Sequence, residues 1–202
     1  EVLEQDESVD IMIGNNRKKE IIQIIHEYEI MQKNEIDHEY EIIQKNAGGN
    51  NLTDTVIDLS RDTEYEELSI DSVSEKTRAY IKIQDGCNQF CSYCIIPYAR
   101  GRVRSRSEEA VCDEVNKLVN KGYKEIVLTG IHLSSYGIDF KDNQEKTPHL
   151  LSVIVKLSKI DGLERIRLGS LEPRIITDEF AKTLSGISKI CPHFHLSLQS
   201  GS

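Results

Sequence analysis

Residues 78–106 read RAYIKIQDGCNQFCSYCIIPYARGRVRSR, and this stretch decides how the rest of the chain is to be read. It opens on an apolar, strand-like run, Ala79–Ile83, and passes into a loop carrying Cys87, Cys91 and Cys94 in the spacing C-x3-C-x2-C. Thiolates are the usual ligands of iron–sulfur clusters, and a four-iron cluster normally takes four of them. No fourth cysteine stands close by, so three protein ligands would leave one iron open, and an open position is where a substrate or cofactor binds. A structural zinc site wants four ligands, yet the nearest further candidates, Cys112, His132 and Cys191, lie 18 or more residues away. The spacing also differs from the ferredoxin run C-x2-C-x2-C-x3-C. Five cysteines, an odd count with two of them one helical turn apart, argue against a disulfide framework.

Outward from this loop the pattern is regular. Strands are expected at 79–83, 125–129, 163–168 and 194–198, and helices at 107–121, 149–160 and 177–185. Ser107 before Glu108 and Glu109, and Thr177 before Asp178 and Glu179, suit helix N-termini. Strands alternating with helices imply parallel β/α units. The expected fold class is therefore α/β, a partial (β/α) barrel in which active loops follow the strand C-termini. Every polar candidate falls at such a place: the three cysteines after the first strand, Gly130 and His132 after the second, Ser170 and Glu172 after the third, Gln199 and Ser200 after the fourth. Cys112 lies beside the helical stripe Val111, Val115, Leu118, and with Cys191 reads as a packed thiol.

Upstream the chain changes character. Residues 9–13 read as a short strand, and about 17–33 as an amphipathic helix with Ile21, Ile25 and Tyr28 on one stripe. HEYEIMQKN at 26–34 recurs as HEYEIIQKN at 38–46, a 12-residue offset that fits no solenoid period and reads as a local duplication. AGGNN at 47–51 breaks any helix, and 52–75 is acidic. The expected organisation is 1–34 as the tail of an N-terminal α/β domain, 35–75 as a linker and 76–202 as a truncated barrel core of four β/α units. Beginning on Glu1 and stopping at Ser202, the chain is expected to be an internal piece of a longer protein.

The net charge of −9 is uneven. Residues 1–75 carry 6 Lys/Arg against 20 Asp/Glu, whereas 76–106 carry 7 against 1. A polyanion responds to that local sign more than to the total. Arg100, Arg102, Arg104 and Arg106 stand at alternate positions; in an extended segment all four would share one edge able to grip phosphates, and otherwise they belong to a solvated loop. At 38% hydrophobic residues a core is affordable, and no apolar run approaches the ~20 residues of a membrane helix, so no membrane partner is expected.

Four segments in order, IQDGCNQFCSYCIIPYARGRVRSR at 83–106, LTGIHLSSYG at 128–137, RLGSLEP at 167–173 and HLSLQSGS at 195–202, together resemble the methylthiotransferase branch of the radical S-adenosyl-L-methionine (SAM) enzymes. The likeness is nearest to the tRNA enzymes acting on N6-threonylcarbamoyladenosine at position 37; it is strong over 78–202 and weak over 9–33. It implies that Cys87, Cys91 and Cys94 bind a 4Fe–4S cluster whose open iron chelates SAM, and that Tyr93, Gly130, Ser197 and Gln199 line the SAM pocket. One electron, from a reductant such as a flavodoxin or ferredoxin, would cleave SAM to methionine and a 5′-deoxyadenosyl radical. That radical would abstract the adenine C2 hydrogen, which a methylthio group replaces. It also implies tRNA as partner, with Arg100, Arg102, Arg104 and Arg106 as contacts, a cytoplasmic location, and a second 4Fe–4S cluster in an N-terminal domain that this chain lacks.

On the residues alone, Tyr93 could instead cap the core, Gly130 could be an ordinary turn, and His132 reads as a loop hydrogen-bonder. Two other functions stay open: methylthiolation of isopentenyl-adenosine tRNA or of a ribosomal protein, and a non-enzymatic iron–sulfur protein.

Overall fold

The computed structural model describes residues 11–14, 17–34, 54–55, 64–68, 78–140 and 149–200. The chain divides into two compact units, Glu1–Leu59 and Ser60–Ser202. In the first, β1 (Met12–Ile13) pairs in parallel with β2 (Asp54–Thr55), and α1 (Ile21–Asn34) lies between them in sequence. A 3-10 turn at Lys18–Glu20 leads into α1, with the Arg17 guanidinium donating to Glu20 Oε2 at 2.9 Å. The expected stripe is turned: among the described side chains of the helix Ile24 is buried, while Ile21 and Ile25 are exposed. The first copy of the repeat is the C-terminal part of α1; the second copy, at 38–46, lies outside the described residues.

In the second unit the long strand β3 (Arg78–Asp85) is central to a curled, half-barrel sheet. Chain order then gives α2 (Ile96–Arg100), β4 (Arg104–Ser105), α3 (Glu108–Asn120), β5 (Glu125–Gly130), α4 (His149–Ser158), β6 (Arg165–Leu168) and α5 (Asp178–Ser185). The sheet order is β4-β3-β5-β6. β5 pairs in parallel with β3 (Ala79 opposite Ile126) and with β6 (Ile126 opposite Ile166), while β4 runs antiparallel to β3.

Period-2 alternation explains which face is covered. Ala79, Ile81, Ile83, Ile126, Leu128, Ile166 and Leu168 are buried in one core with Val111, Val115 and Leu118 of α3, Ile154 and Leu157 of α4, and Phe180 and Leu184 of α5. Of the alternate residues, Tyr80, Lys82 and Arg167 stay partly exposed, whereas Gln84, Glu125 and Val127 are buried on the other face. The helix starts follow the sequence: Ser107 Oγ accepts from Ala110 N at 3.2 Å and Thr177 Oγ1 from Phe180 N at 3.1 Å. Cys112 packs against the core and Cys191 is buried, as thiols with no ligand role would.

Three expectations are modified. The strand expected at 194–198 is reduced to a single bridge, Leu171 with Leu196, with a second isolated bridge, Ile166 with Ile190, just before it. Leu171 N donates to His195 O (2.9 Å) and Ser197 N to Leu171 O (2.8 Å), but Pro192 has no N–H to extend the ladder. The two-residue β4 edge was not foreseen. And 64–68, expected as linker, touches β3 and its flank: Tyr65 Oη donates to Lys82 O at 2.7 Å, and Glu67 accepts from Arg106 Nε at 2.5 Å.

Candidate functional site

The loop that leaves β3 is held from both sides. Gly86 has φ +70°, and a Cβ there would lie 1.8 Å from Arg102 O, so only glycine lets the outgoing and returning limbs approach. Cys87 N then donates to Gly101 O (3.1 Å), and Val103 N to Asn88 Oδ1 (3.1 Å). Phe90 takes a left-handed φ of 47°, uncommon for a bulky residue. Its ring is covered by the Arg102 guanidinium at 4.4 Å and meets Tyr98 edge-on at 5.5 Å. Cys94 N donates to Cys91 O at 2.9 Å, closing one tight turn.

The three thiols thus sit on one pinned loop, Cys87 buried, Cys94 half-buried and Cys91 exposed. Burial pushes the Cys87 thiol up; the nearby charges of Cys91, Cys94 and Glu172 push the same way, against a hydrogen bond from Gln89 N. Metal ligation by a thiol requires its deprotonation, so cluster binding at Cys87 would release a proton. Among the described residues no three His, Cys, Asp or Glu side chains converge as a single ion would require. A multi-iron cluster asks for something else, soft thiolates spread over a surface and bound to different irons, and this donor set fits it.

Behind the loop lies a polar core that the sequence reading missed. Gln84 is fully buried; its Nε2 donates to Asp85 O and Gly86 O (2.7 Å each), and its Oε1 accepts from His132 N at 2.7 Å. It ties the tip of β3 to the loop after β5. Gly130 is explained by the same residue, since a Cβ there would come within 2.8 Å of Gln84 Oε1. Asp85 accepts from Gly86 N (2.8 Å) and pairs with Lys82, which overcome burial and hold its carboxyl below the usual range. The only advance signal was two polar residues ending an apolar strand.

The loops after β5 and β6 are tied in turn. Glu172 N donates to Ser134 Oγ at 2.8 Å, and Glu172 Oε2 lies 3.6 Å from His132 Nε2. His132 Nδ1 shares a hydrogen bond with Ser135 Oγ (2.6 Å), and burial lowers its pKa despite Glu172, so it acts as the loop hydrogen-bonder expected. Arg174 Nε donates to Glu172, and its Nη2 to Gln89 Oε1 at 2.9 Å, joining the loop after β6 to the cysteine loop. From the last segment, Gln199 Oε1 accepts from Tyr93 Oη, which brings together two residues expected in one pocket, and His195 Nδ1 meets Ser170 Oγ at 2.7 Å. Ser197 is half-buried and bonded through its backbone.

The four arginines do not share an edge, which corrects the expectation. Extended pairing lasts only for Arg104–Ser105, so the alternation cannot propagate. Arg104 turns inward, 1% exposed, and donates to Arg102 O (3.2 Å) and Arg100 O (2.9 Å) with Asp85 at 3.9 Å. Arg106 is also buried, between Glu114 and Glu67, and Tyr136 Oη donates to its carbonyl at 2.7 Å. Both stabilise the loop's return limb; Arg102 remains exposed and Arg100 half-buried. No helix among the described residues is long and apolar enough to cross a membrane.

The family described as the radical SAM superfamily matches residues 81–202. The threonylcarbamoyladenosine tRNA methylthiotransferase MtaB of Aquifex aeolicus (strain VF5) is 38% identical over 194 residues, covering 96% of this chain and 42% of the relative. Its namesake from Bacillus subtilis (strain 168) is 40% identical over 195 residues, 96% of this chain and 38% of the relative. The tRNA-2-methylthio-N(6)-dimethylallyladenosine synthase of Thermoanaerobacter sp. (strain X514) is 42% identical over 154 residues, 75% of this chain and 32% of the relative. The chain therefore spans 42% or less of the length of these relatives. A solved radical SAM methyltransferase, TsrM from Kitasatospora setae with cobalamin and a 4Fe-4S cluster bound, superposes on 59% of this chain and 20% of its own at a TM-score of 0.46 and 21% identity. With 81–202, more than half of its residues, matched, the chain belongs to the radical SAM superfamily, whose members use a 4Fe–4S cluster and S-adenosyl-L-methionine.

Proposed function

We propose that the chain is the cluster- and SAM-binding part of a tRNA methylthiotransferase that converts N6-threonylcarbamoyladenosine at position 37 to its 2-methylthio form. The observation that carries this is the pinned loop of three thiols at the C-terminal end of the parallel strand β3, with Tyr93 reaching across to Gln199. Cys87, Cys91 and Cys94 would hold the cluster, and Tyr93, Gly130, Ser197 and Gln199 would line the SAM pocket beside it. The bound cluster and SAM supply a carbon radical able to take an aryl hydrogen. This chain's residues bind and orient: the Gln84 amide fixes the loop base, Arg104 and Arg106 fix its return limb, and the barrel mouth excludes water once covered. An unpaired adenine in an anticodon loop exposes the edge such chemistry needs.

The proposed organisation is 1–34 as domain tail, 35–75 as linker, part of it docked, and 76–202 as barrel core. A second cluster in a preceding domain, a flavodoxin or ferredoxin as reductant, tRNA as partner and a cytoplasmic site of action belong to the same proposal. The dimethylallyladenosine synthase, 42% identical over 75% of this chain, favours isopentenyl-adenosine as a second substrate reading. Incubating the full-length parent, reductant, sulfide and SAM with tRNA bearing either nucleoside decides. Methylthiolation of the threonylcarbamoyl nucleoside supports the proposal, and reaction of only the isopentenyl one overturns the substrate assignment.

A further inference from the structure

We propose that Arg174 binds the carboxylate of the threonylcarbamoyl group and thereby selects that nucleoside over one with an apolar substituent; this rests on the function proposed above. The two candidate substituents differ in one chemical respect. Threonylcarbamoyl ends in a carboxylate and a hydroxyl, whereas dimethylallyl is five carbons without a polar atom. A discriminating site therefore needs a cation, held at the mouth and left with open donors.

Arg174 meets each condition. It stands in the 3-10 turn Pro173–Ile175 just after β6, at the C-terminal end of the sheet, and its side chain is 72% exposed. Two neighbours fix its orientation: Nε donates to Glu172 Oε1, and Nη2 donates to Gln89 Oε1 at 2.9 Å. Gln89 is itself two residues from Cys87 and from Cys91, so the guanidinium is fastened to the cysteine loop. Glu172 cannot drift, because its backbone N–H is held by Ser134 Oγ at 2.8 Å and its second oxygen faces His132 at 3.6 Å. What remains is Nη1, which has no partner among the described residues. A guanidinium anchored on one side and open on another presents a planar fork for a carboxylate with little rotamer entropy left to lose.

The same arrangement rejects the apolar group. When tRNA covers the mouth, an apolar substituent would strip water from Arg174, Glu172 and His132 and give nothing back. Unpaired polar groups in a closed site cost more than a missing methylene. Glu172 keeps the resting site near neutral, which disfavours indiscriminate capture of phosphates there.

The test uses the full-length parent and three anticodon stem-loops, carrying at position 37 threonylcarbamoyladenosine, its uncharged carboxamide, or isopentenyl-adenosine. Binding is followed by fluorescence anisotropy, turnover by nucleoside mass spectrometry, and iron is counted in each variant. Wild type is expected to bind the carboxylate form about 10- to 100-fold more tightly than the carboxamide. Arg174→Met should erase that preference through KM more than kcat, with iron unchanged, and Arg174→Lys should restore part of it as a point charge. Equal binding of acid and amide by wild type, or an unchanged KM in Arg174→Met, would overturn the assignment while leaving threonylcarbamoyl turnover intact. Loss of iron in Arg174→Met would overturn it too, making the residue a support for the cysteine loop. Turnover of only the isopentenyl stem-loop would remove the underlying function and this inference with it.

Discussion

Replacing Gly86 with alanine strikes the hinge on which the cysteine loop turns. Two costs add. A non-glycine residue at φ +70° loses about 1–2 kcal/mol against the right-handed region. The new Cβ would also stand 1.8 Å from Arg102 O and 2.5 Å from its carbon, both backbone, so no side chain can swing away. The returning limb must retreat by more than an ångström, which breaks Cys87 N to Gly101 O and Val103 N to Asn88 Oδ1, each 3.1 Å and each worth about 1 kcal/mol. The total is about 3–4 kcal/mol, centred on the thiols. Gly122 is the control: it has φ +96° but open space around its Cβ, so its alanine variant pays only the backbone strain. Urea unfolding and iron content after anaerobic reconstitution are the assays. Gly86→Ala should lower the midpoint by more than about 1 M and lose most of its iron, and Gly122→Ala should do neither. Matching behaviour of the two variants would refute the hinge.

Arg106→Ala removes the buried Arg106–Glu114 pair, in which Glu114 is 5% exposed, and should cost about 3–5 kcal/mol, read as a fall in melting temperature on the order of 10 °C. Arg106→Met with Glu114→Leu should recover most of that loss; equal loss in both variants would count against the pair. Glu125 is held below the usual carboxylate range by the Arg165 hydrogen bond first, which with Arg167 and Arg78 overcomes its burial. Its contribution is therefore full above its unfolded value of about 4.3 and lost as pH falls through its lower folded value. Glu125→Gln should flatten the acid side of the stability profile, and parallel profiles would discount the cluster. Binding of tRNA by the full-length parent should weaken with salt, and Arg102→Ala should reduce the log–log slope by about 0.7–0.9. Arg104→Ala should lower stability instead, and a slope change there would reopen the arginine edge.

What was legible in the sequence was whatever a local rule governs. β3, β5 and β6 announce themselves by alternation, and α3 and α5 by Ser107 and Thr177 at their starts, so these elements stand within a few residues of expectation. The cysteine loop was legible because its short spacing places three thiols on one segment, which the structure shows pinned as a single loop. Arg104 and Arg106 were not, because alternation says that side chains share a face without saying which face, and Asp85, Glu67 and Glu114, distant in sequence, turned that face inward. The segment at 194–198 has strand composition but lacks the unbroken pairing a ladder needs. Gln84 and Arg174 were invisible for a related reason: each acts by joining loops far apart in sequence, to His132 and to Gln89.

On the proposed function, Cys87, Cys91 and Cys94 hold a cluster with one iron left for SAM. Electron paramagnetic resonance of the anaerobically reconstituted and reduced chain, before and after SAM, decides whether they do. About four irons per chain and a reduced-cluster signal that shifts on adding SAM are expected in wild type and in Cys112→Ala. Cys91→Ala should show neither the signal nor the shift. A signal indifferent to SAM, or one that survives in Cys91→Ala, would contradict the claim.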